Sequence, residues 1–281
     1  EIQIRLVGSE MCIRDRRYVE TVLIPASPAL YGETSDRHTL CVSSQVGCAY
    51  GCKFCASGLD GFSRNLTAAE IVSQIILAEE LSGEKVNNLV FMGMGEPLAN
   101  FTNLSNALQM VTSDWGLKIG ARRITVSTSG LVPQIKKLAE LPQQIRLAIS
   151  LHGPDDVTRE KIMPVNKKYP VAELFDALRI WNSKKNQKIT LEYILIDGIN
   201  ASSEQAGILA KRARSIRAKV NLIPYNTVEG LPWVRPNDQD CLRFKKVLTN
   251  AGVSATLRLE KGHDINAACG QLRLKKEQGT L

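Results

Sequence analysis

Four of the chain's seven cysteines fall between positions 41 and 55, and three of them have a spacing that suits one soft metal centre. Cys48, Cys52 and Cys55 form C-x3-C-x2-C within CVSSQVGCAYGCKFC. Thiolates are soft donors, fit for zinc or for iron–sulfur chemistry. A structural zinc would want a fourth ligand, commonly from a second paired knuckle. No second CxxC occurs, and the only histidines are His38, His152 and His263. Three cysteines on a 4Fe–4S cluster leave one iron open, able to chelate an amino and a carboxylate group of a ligand. Gly47 and Gly51 let the backbone wrap closely round the sulfurs, and Phe54 is placed to shield them. A zinc site and three ordinary buried cysteines are the alternatives.

Other residues could serve the same centre. MGMGEP (92–97) offers Gly93 and Gly95 for close backbone approach and Glu96 as a carboxylate for an ammonium group; a plain turn would also explain it. Ser127-Thr-Ser-Gly130 and Ser150-Leu151-His152 supply small polar groups suited to ribose or carboxylate hydrogen bonds. His152 reads either as a satisfied structural histidine or as part of a ligand wall. Asn226 could bond an adenine or cap a turn. Cys41 and Cys269 read as core cysteines or as a working pair; the Ala-Ala-Cys-Gly surroundings of Cys269 are as unhindered as a reactive thiol needs. Cys241 falls in a helical pattern and reads as core.

These residues need a scaffold, and the sequence predicts one. Candidate strands are Thr39–Ser44, Asn88–Met92, Arg123–Ser127, Arg146–Ser150, Ile189–Ile194, Lys219–Ile223 and Ser254–Arg258. Between them, Thr67-Ala-Ala-Glu70 is a capping box opening a helix to about Leu81. Pro133 suits the first turn of Gln134–Ala139. Val171–Trp181, Ser202–Arg217 and Asp238–Asn250 carry helical apolar spacing. Such alternation predicts an α/β fold with parallel strands, curled or open, and a site at the carboxyl ends of the strands. Pro25–Arg37 reads as an exposed loop.

The chain is 281 residues and 44% hydrophobic, which rules out disorder and is ample for a packed core. No uncharged apolar stretch reaches the ~18 residues of a membrane span. Lys+Arg is 36 against Asp+Glu 28, a formal charge of +8 that suits a polyanionic partner. Five cations lie in 211–219, KRARSIRAK; a solvated helix face explains any one, and their sum favours phosphate contact weakened by salt. Clustered cysteines without a secretion signal point to a reducing compartment.

The C-x3-C-x2-C spacing with an aromatic before the last cysteine resembles the radical S-adenosylmethionine (SAM) superfamily. CVSSQVGC, the FxRNL pattern of 62–66, MGMGEPL, RRITVSTSG, AISLHGP, MPVNKKY, NLIPYN and DINAACGQL resemble its adenine-methylating RNA methyltransferases, the RlmN/Cfr family, over about residues 17–274. The resemblance implies a partial (β/α)6-type radical SAM barrel. It implies one 4Fe–4S cluster on Cys48, Cys52 and Cys55, and SAM held by Gly95, Glu96, Ser127, Ser150, Leu151, His152 and Asn226.

The implied reaction is methylation of C2 of adenosine in 23S rRNA, and of the adenosine next to the anticodon in tRNA, with two SAM per turnover. Adenine C2 is electron-poor, so displacement on SAM cannot methylate it and a radical is needed. One SAM methylates Cys269. A second yields a radical that takes hydrogen from that methyl. The resulting methylene adds to the base, which is extruded from its stack. Cys41 then resolves the adduct through a transient disulfide, and Glu20 matches the family's general base, though alone it would pass for an ordinary carboxylate. Cfr-like methylation of C8 is the close alternative, with Pro97 favouring C2; a non-catalytic iron–sulfur RNA-binding module is the third reading. The resemblance further implies an electron donor such as flavodoxin or ferredoxin, a monomer, cytoplasmic location and no membrane.

Residues 1–16 continue no pattern and resemble translated sequencing-adapter sequence, so they are expected to be non-native, Cys12 included. The expected organisation is then 17–37 as an N-terminal extension and loop, 38–274 as the catalytic core and 275–281 as a tail. The family's N-terminal accessory RNA-binding domain is expected to be absent from this chain.

Overall fold

Why the chain alternates strands and helices is visible in its buried positions, which follow a period of two in some runs and of three to four in others. The computed structural model describes residues 5–7, 19–24, 37–59, 61–228 and 230–258. They fall into two compact units, one of the described residues up to 49 together with 56–126, the other of 50–55 with 127–258.

In chain order the first unit carries β1 (Arg5–Val7), β2 (Glu20–Ile24), β3 (Thr39–Cys41), β4 (Gln45–Gly47), β5 (Phe62–Asn65), α1 (Ala68–Ser82), β6 (Asn88–Phe91), α2 (Phe101–Thr112) and most of β7 (Ile124–Thr128). β3, β6 and β7 are parallel, with Leu40 beside Leu89 and Leu89 beside Ile124. β2 lies antiparallel on β3, and β1 antiparallel on β2. β1 thus falls inside the stretch expected to be foreign. Edge pairing uses backbone groups that any extended segment can supply, so it carries no information about that segment's origin.

α1 starts where its capping box predicts: Thr67 Oγ1 accepts from Glu70 N, and Glu70 Oε2 accepts from Thr67 N (2.8 Å). It stops at Gly83, in the left-handed region at φ 69°. α2 escaped the sequence reading, yet its buried Leu104, Ala107, Leu108 and Val111 have the i, i+3, i+4, i+7 spacing of a core-facing stripe. Four asparagine and threonine residues around that stripe lower its helix propensity, and packing overrides it. β4 and β5 were also not predicted. They form a short antiparallel ribbon with an irregularity between Val46 and Gly47, and neither alternates long enough to read as a strand.

The second unit carries α3 (Val132–Glu140), β8 (Arg146–Ser150), α4 (Asp156–Ile162), α5 (Val171–Lys184), β9 (Thr190–Leu195), α6 (Ser203–Ser215), β10 (Lys219–Pro224), α7 (Asp238–Asn250) and β11 (Ala255–Leu257). β8 to β11 are parallel neighbours in chain order, with Ser150 beside Glu192, Glu192 beside Asn221 and Asn221 beside Thr256. Tyr193 stacks on Phe244 of α7 at 5.3 Å. Residues of odd number on β9 therefore face the helices, and Glu192 points the other way. α5 buries Leu174, Phe175, Leu178 and Trp181, each such side chain contributing about 2 kcal/mol. Cys241 is buried in α7, as predicted. The seven predicted strands are all present, β8 at its expected bounds and the others within three residues of theirs. Among the described residues no helix is long and apolar enough to cross a membrane. Cys12, Cys269, the loop over 25–36 and the tail 275–281 lie outside the described residues.

Candidate functional site

In the first unit, the site residues expected from the sequence stand on the chain leaving β3 and on its neighbours. Cys41 is buried at the end of β3, beside Val22 and Val90, and its carbonyl accepts from Thr21 Oγ1 (2.5 Å). Glu20, on β2, is 1% exposed. Ser43 connects three stretches: its Oγ donates to the Glu20 carbonyl (2.6 Å) and accepts from Met94 N (2.9 Å). Gln74 of α1 clamps the Ser43 backbone from both sides, accepting from Ser43 N and donating to Ser43 O, each at 2.9 Å.

The glycines of MGMGEP have a use the sequence reading did not specify. A Cβ on Gly93 would lie 2.6 Å from Ser43 Oγ, and one on Gly95 (φ 95°) 2.5 Å from Gln45 Cβ. The close approach they permit is to Ser43 and Gln45. Gln45 in turn accepts from Glu96 N (2.8 Å) and donates to Asn65 Oδ1 (2.8 Å). Glu96 is buried, and its Oε1 caps the short turn that follows by accepting from Leu98 N (3.0 Å). The carboxylate is thereby fixed in orientation before any ligand arrives.

Cys48 is half-buried, and its N–H donates to Gly61 O (2.8 Å). Gly47, just before it, has φ 73°, and a Cβ there would meet Gly61 O at 2.0 Å. Only glycine lets the ribbon close against that carbonyl. The sequence reading assigned Gly47 and Gly51 to wrapping the sulfurs. Gly51 has φ 60° with open space around it, so its need is conformational alone.

The second unit holds the rest of the cysteine loop, 50–55. Cys52 and Cys55 are half-buried, with Cys55 N donating to Cys52 O (3.1 Å). Lys53 is anchored on both sides: its N–H donates to Ile162 O (2.9 Å), and its carbonyl accepts from Trp233 Nε1 (2.7 Å). Phe54 is buried and meets the His152 ring edge-on, centroids 4.7 Å apart. That contact joins the loop to the end of β8.

His152 is buried with φ 56°, a strained setting for a non-glycine residue. Asn200 holds it there by donating to its carbonyl (2.7 Å) and to the carbonyl of Ile194 (2.6 Å). Its Nδ1 accepts from Ile194 N (3.0 Å), so the neutral ring carries its proton on Nε2. Burial, and then the nearby Arg159 guanidinium, push its pKa down to about 3. His152 is therefore a neutral donor at physiological pH. It is both of the things the sequence allowed, a satisfied structural residue and a wall with one N–H to offer.

Ser127 and Leu151 are buried and Ser150 half-buried at the ends of β7 and β8. Asn226, after β10, is buried with its Oδ1 unpartnered. An orphaned buried acceptor costs about 1–3 kcal/mol, and an exocyclic amine of a bound adenine would satisfy it. The residues expected to hold SAM are thus divided, Gly95 and Glu96 in the first unit and the others in the second. Among the described residues no group of three or more His, Cys, Asp or Glu stands ready-made for a metal ion. The fit to a cluster rests on donor chemistry and on a loop backbone shaped by Gly47. Gln45, Gln74, Asn200 and Arg159 were not predicted, since nothing in the sequence distinguishes polar residues that hold loops from those that face water.

Comparison with known proteins agrees with this chemistry. The family model described as Radical SAM superfamily matches residues 42–206. A probable dual-specificity RNA methyltransferase RlmN of Akkermansia muciniphila is 61% identical over 95% of this chain and 74% of its own length. A probable dual-specificity RNA methyltransferase RlmN 3 of Opitutus terrae is 54% identical, again over 95% and 74%. The crystal structure of a radical SAM methyltransferase from Sphaerobacter thermophilus superposes with a TM-score of 0.87 at 45% identity, covering 92% of this chain and 75% of that one.

Proposed function

Given that the chain belongs to the radical SAM superfamily and, within it, to the RlmN family of RNA methyltransferases, we propose that it methylates C2 of adenosine in 23S rRNA and in tRNA, with Cys269 as methyl carrier. Its fold class is the α/β partial radical SAM barrel, and it is a SAM-dependent radical RNA methyltransferase. Superfamily membership implies SAM and a 4Fe–4S cluster. When bound, these two supply a carbon radical able to take hydrogen from an unactivated methyl group.

The observation that carries the residue assignments is the seat of the cysteine loop, with Phe54 on His152 and Lys53 on α4. It brings a soft-donor loop to the strand ends where Ser150, Leu151, His152 and Asn226 stand. In this reading Cys48, Cys52 and Cys55 hold the cluster. Glu96, oriented by its own cap, accepts from the SAM ammonium group. Asn226 accepts from the adenine amine, and Ser127, Ser150, Leu151 and His152 line the remainder.

Cys269 takes a methyl group from one SAM, and a second SAM is consumed in activating that methyl. The activated carbon bonds to adenine C2, Glu20 removes the proton from C2, and the unpaired electron left on the adduct would pass back to the iron–sulfur centre held by Cys48, Cys52 and Cys55. Cys41 then bonds to the Cys269 sulfur, releasing the methylated base and leaving a disulfide that an external reductant reopens. A flavodoxin or ferredoxin type donor, a monomeric protein and a cytoplasmic setting complete the reading.

The test is anaerobic reconstitution followed by single turnover. About four irons per chain and SAM cleavage on reduction are expected, and bound zinc without cleavage would overturn the reading. Cys269→Ala should abolish methyl transfer while cleavage persists. Cys41→Ala should leave RNA covalently attached to the protein through a denaturing gel. A Cys269→Ala protein that still methylates RNA removes the carrier role.

A further inference from the structure

Arg159 lies on α4, a helix that otherwise exposes charged residues, yet it is 0% exposed. Its guanidinium is a three-way fork. Nε donates to Leu151 O (3.1 Å), Nη1 to Asn166 Oδ1 (2.9 Å) and Nη2 to Ser129 O. Leu151 follows β8 and Ser129 follows β7, so one side chain ties two strand-end loops to the turn carrying Asn166. The loops are shaped to admit it. A Cβ on Gly130 would come within 3.2 Å of Nη2, and one on Gly153 within 2.5 Å of the Arg159 backbone.

None of these three acceptors is an anion, and a buried cation without a counter-charge is costly. Asp156, one turn away, bonds Asn166 Nδ2 (2.9 Å) and Val171 N (2.7 Å) and supplies part of the counter-charge without touching the guanidinium. On the other side lies the cysteine loop, bonded through Lys53 N to Ile162 at the end of the same helix. Burial lowers the Arg159 pKa to about 10, and Cys52 is the largest influence opposing that shift. The guanidinium keeps its proton throughout the accessible pH range.

The geometry points to Arg159 as a positioning residue for the reactive centre, its fork locking the loops after β7 and β8 and its buried charge standing by Cys52. The inference rests on Cys52 being a cluster ligand and on SAM lying at these strand ends. The two parts of the role separate by substitution. Arg159→Lys keeps the charge and loses the fork; Arg159→Gln loses the charge. A fixed positive charge near a ligand sulfur favours the reduced, more negative cluster, so Arg159→Gln should have a more negative midpoint potential. Arg159→Lys should keep the wild-type potential while SAM binds roughly 10–100-fold more weakly, the usual cost of losing a residue that orients ligands.

The experiment is a redox titration followed by electron paramagnetic resonance, with SAM affinity measured on the same reconstituted proteins. An unchanged potential in Arg159→Gln, or wild-type SAM affinity in Arg159→Lys, overturns the assignment. If Arg159→Gln does not fold, the affinity of Arg159→Lys decides alone. Wild-type protein that takes up no iron overturns the cluster reading beneath it, whereas loaded wild type with matching variants overturns only the role of Arg159.

Discussion

A buried histidine held neutral is costly to protonate, and His152 makes that cost measurable. Its folded pKa of about 3 lies below the ordinary 6.5. A group depressed in this way contributes stability that is complete above pH 6.5 and is lost as pH falls through that value, at a slope approaching about 1.4 kcal/mol per pH unit. Asparagine tolerates the left-handed backbone at this position and can place an oxygen where Nδ1 accepts from Ile194. Urea unfolding of wild type and His152→Asn between pH 7 and pH 5 should therefore show a steeper decline in wild type. Parallel declines would mean that His152 is not held neutral. Residue types revealed much at this scale: cysteine, histidine and a glycine-flanked glutamate are scarce and chemically distinct. Arg159 stayed hidden because its sequence neighbours, Arg-Glu-Lys, look like any solvated helix turn. Only tertiary packing makes it a buried fork.

Short elements bring the reactive groups into place, and they are where sequence patterns were least informative. The β4–β5 ribbon has strands of three and four residues, too short for alternation to register. It is nonetheless what presents Cys48, because Gly47 passes so near Gly61 O that a Cβ there would lie only 2.0 Å from it. Gly47→Ala should open the ribbon and lower iron uptake on reconstitution well below one cluster per chain. The remaining core should keep its helical circular dichroism, since the long parallel strands do not depend on the ribbon. Full iron loading in that variant would remove the ribbon from the account. The longer elements were legible for a plain reason. The capping box at Thr67 announces α1 and helical apolar spacing announces α6, while β8 and β9, five and six residues long, are announced by their runs of Leu, Ile and other apolar residues.

For the whole molecule, a net charge of +8 accompanies a radical SAM fold whose activity is RNA methylation. The α/β class was readable from alternation alone, while the choice of a barrel came from the resemblance, since periodicity does not encode closure. The proposed role of Cys269 as methyl carrier is the central claim, and isotope transfer tests it most directly. Reconstituted protein is given 23S rRNA and SAM bearing a trideuterated methyl group, and the digested nucleosides are resolved by mass spectrometry. A methyl that loses one hydrogen isotope while on Cys269 and regains a proton after bonding to the base must arrive short of one deuterium. The expected product is 2-methyladenosine with that loss. An intact trideuterated methyl, or methylation at C8, would contradict it.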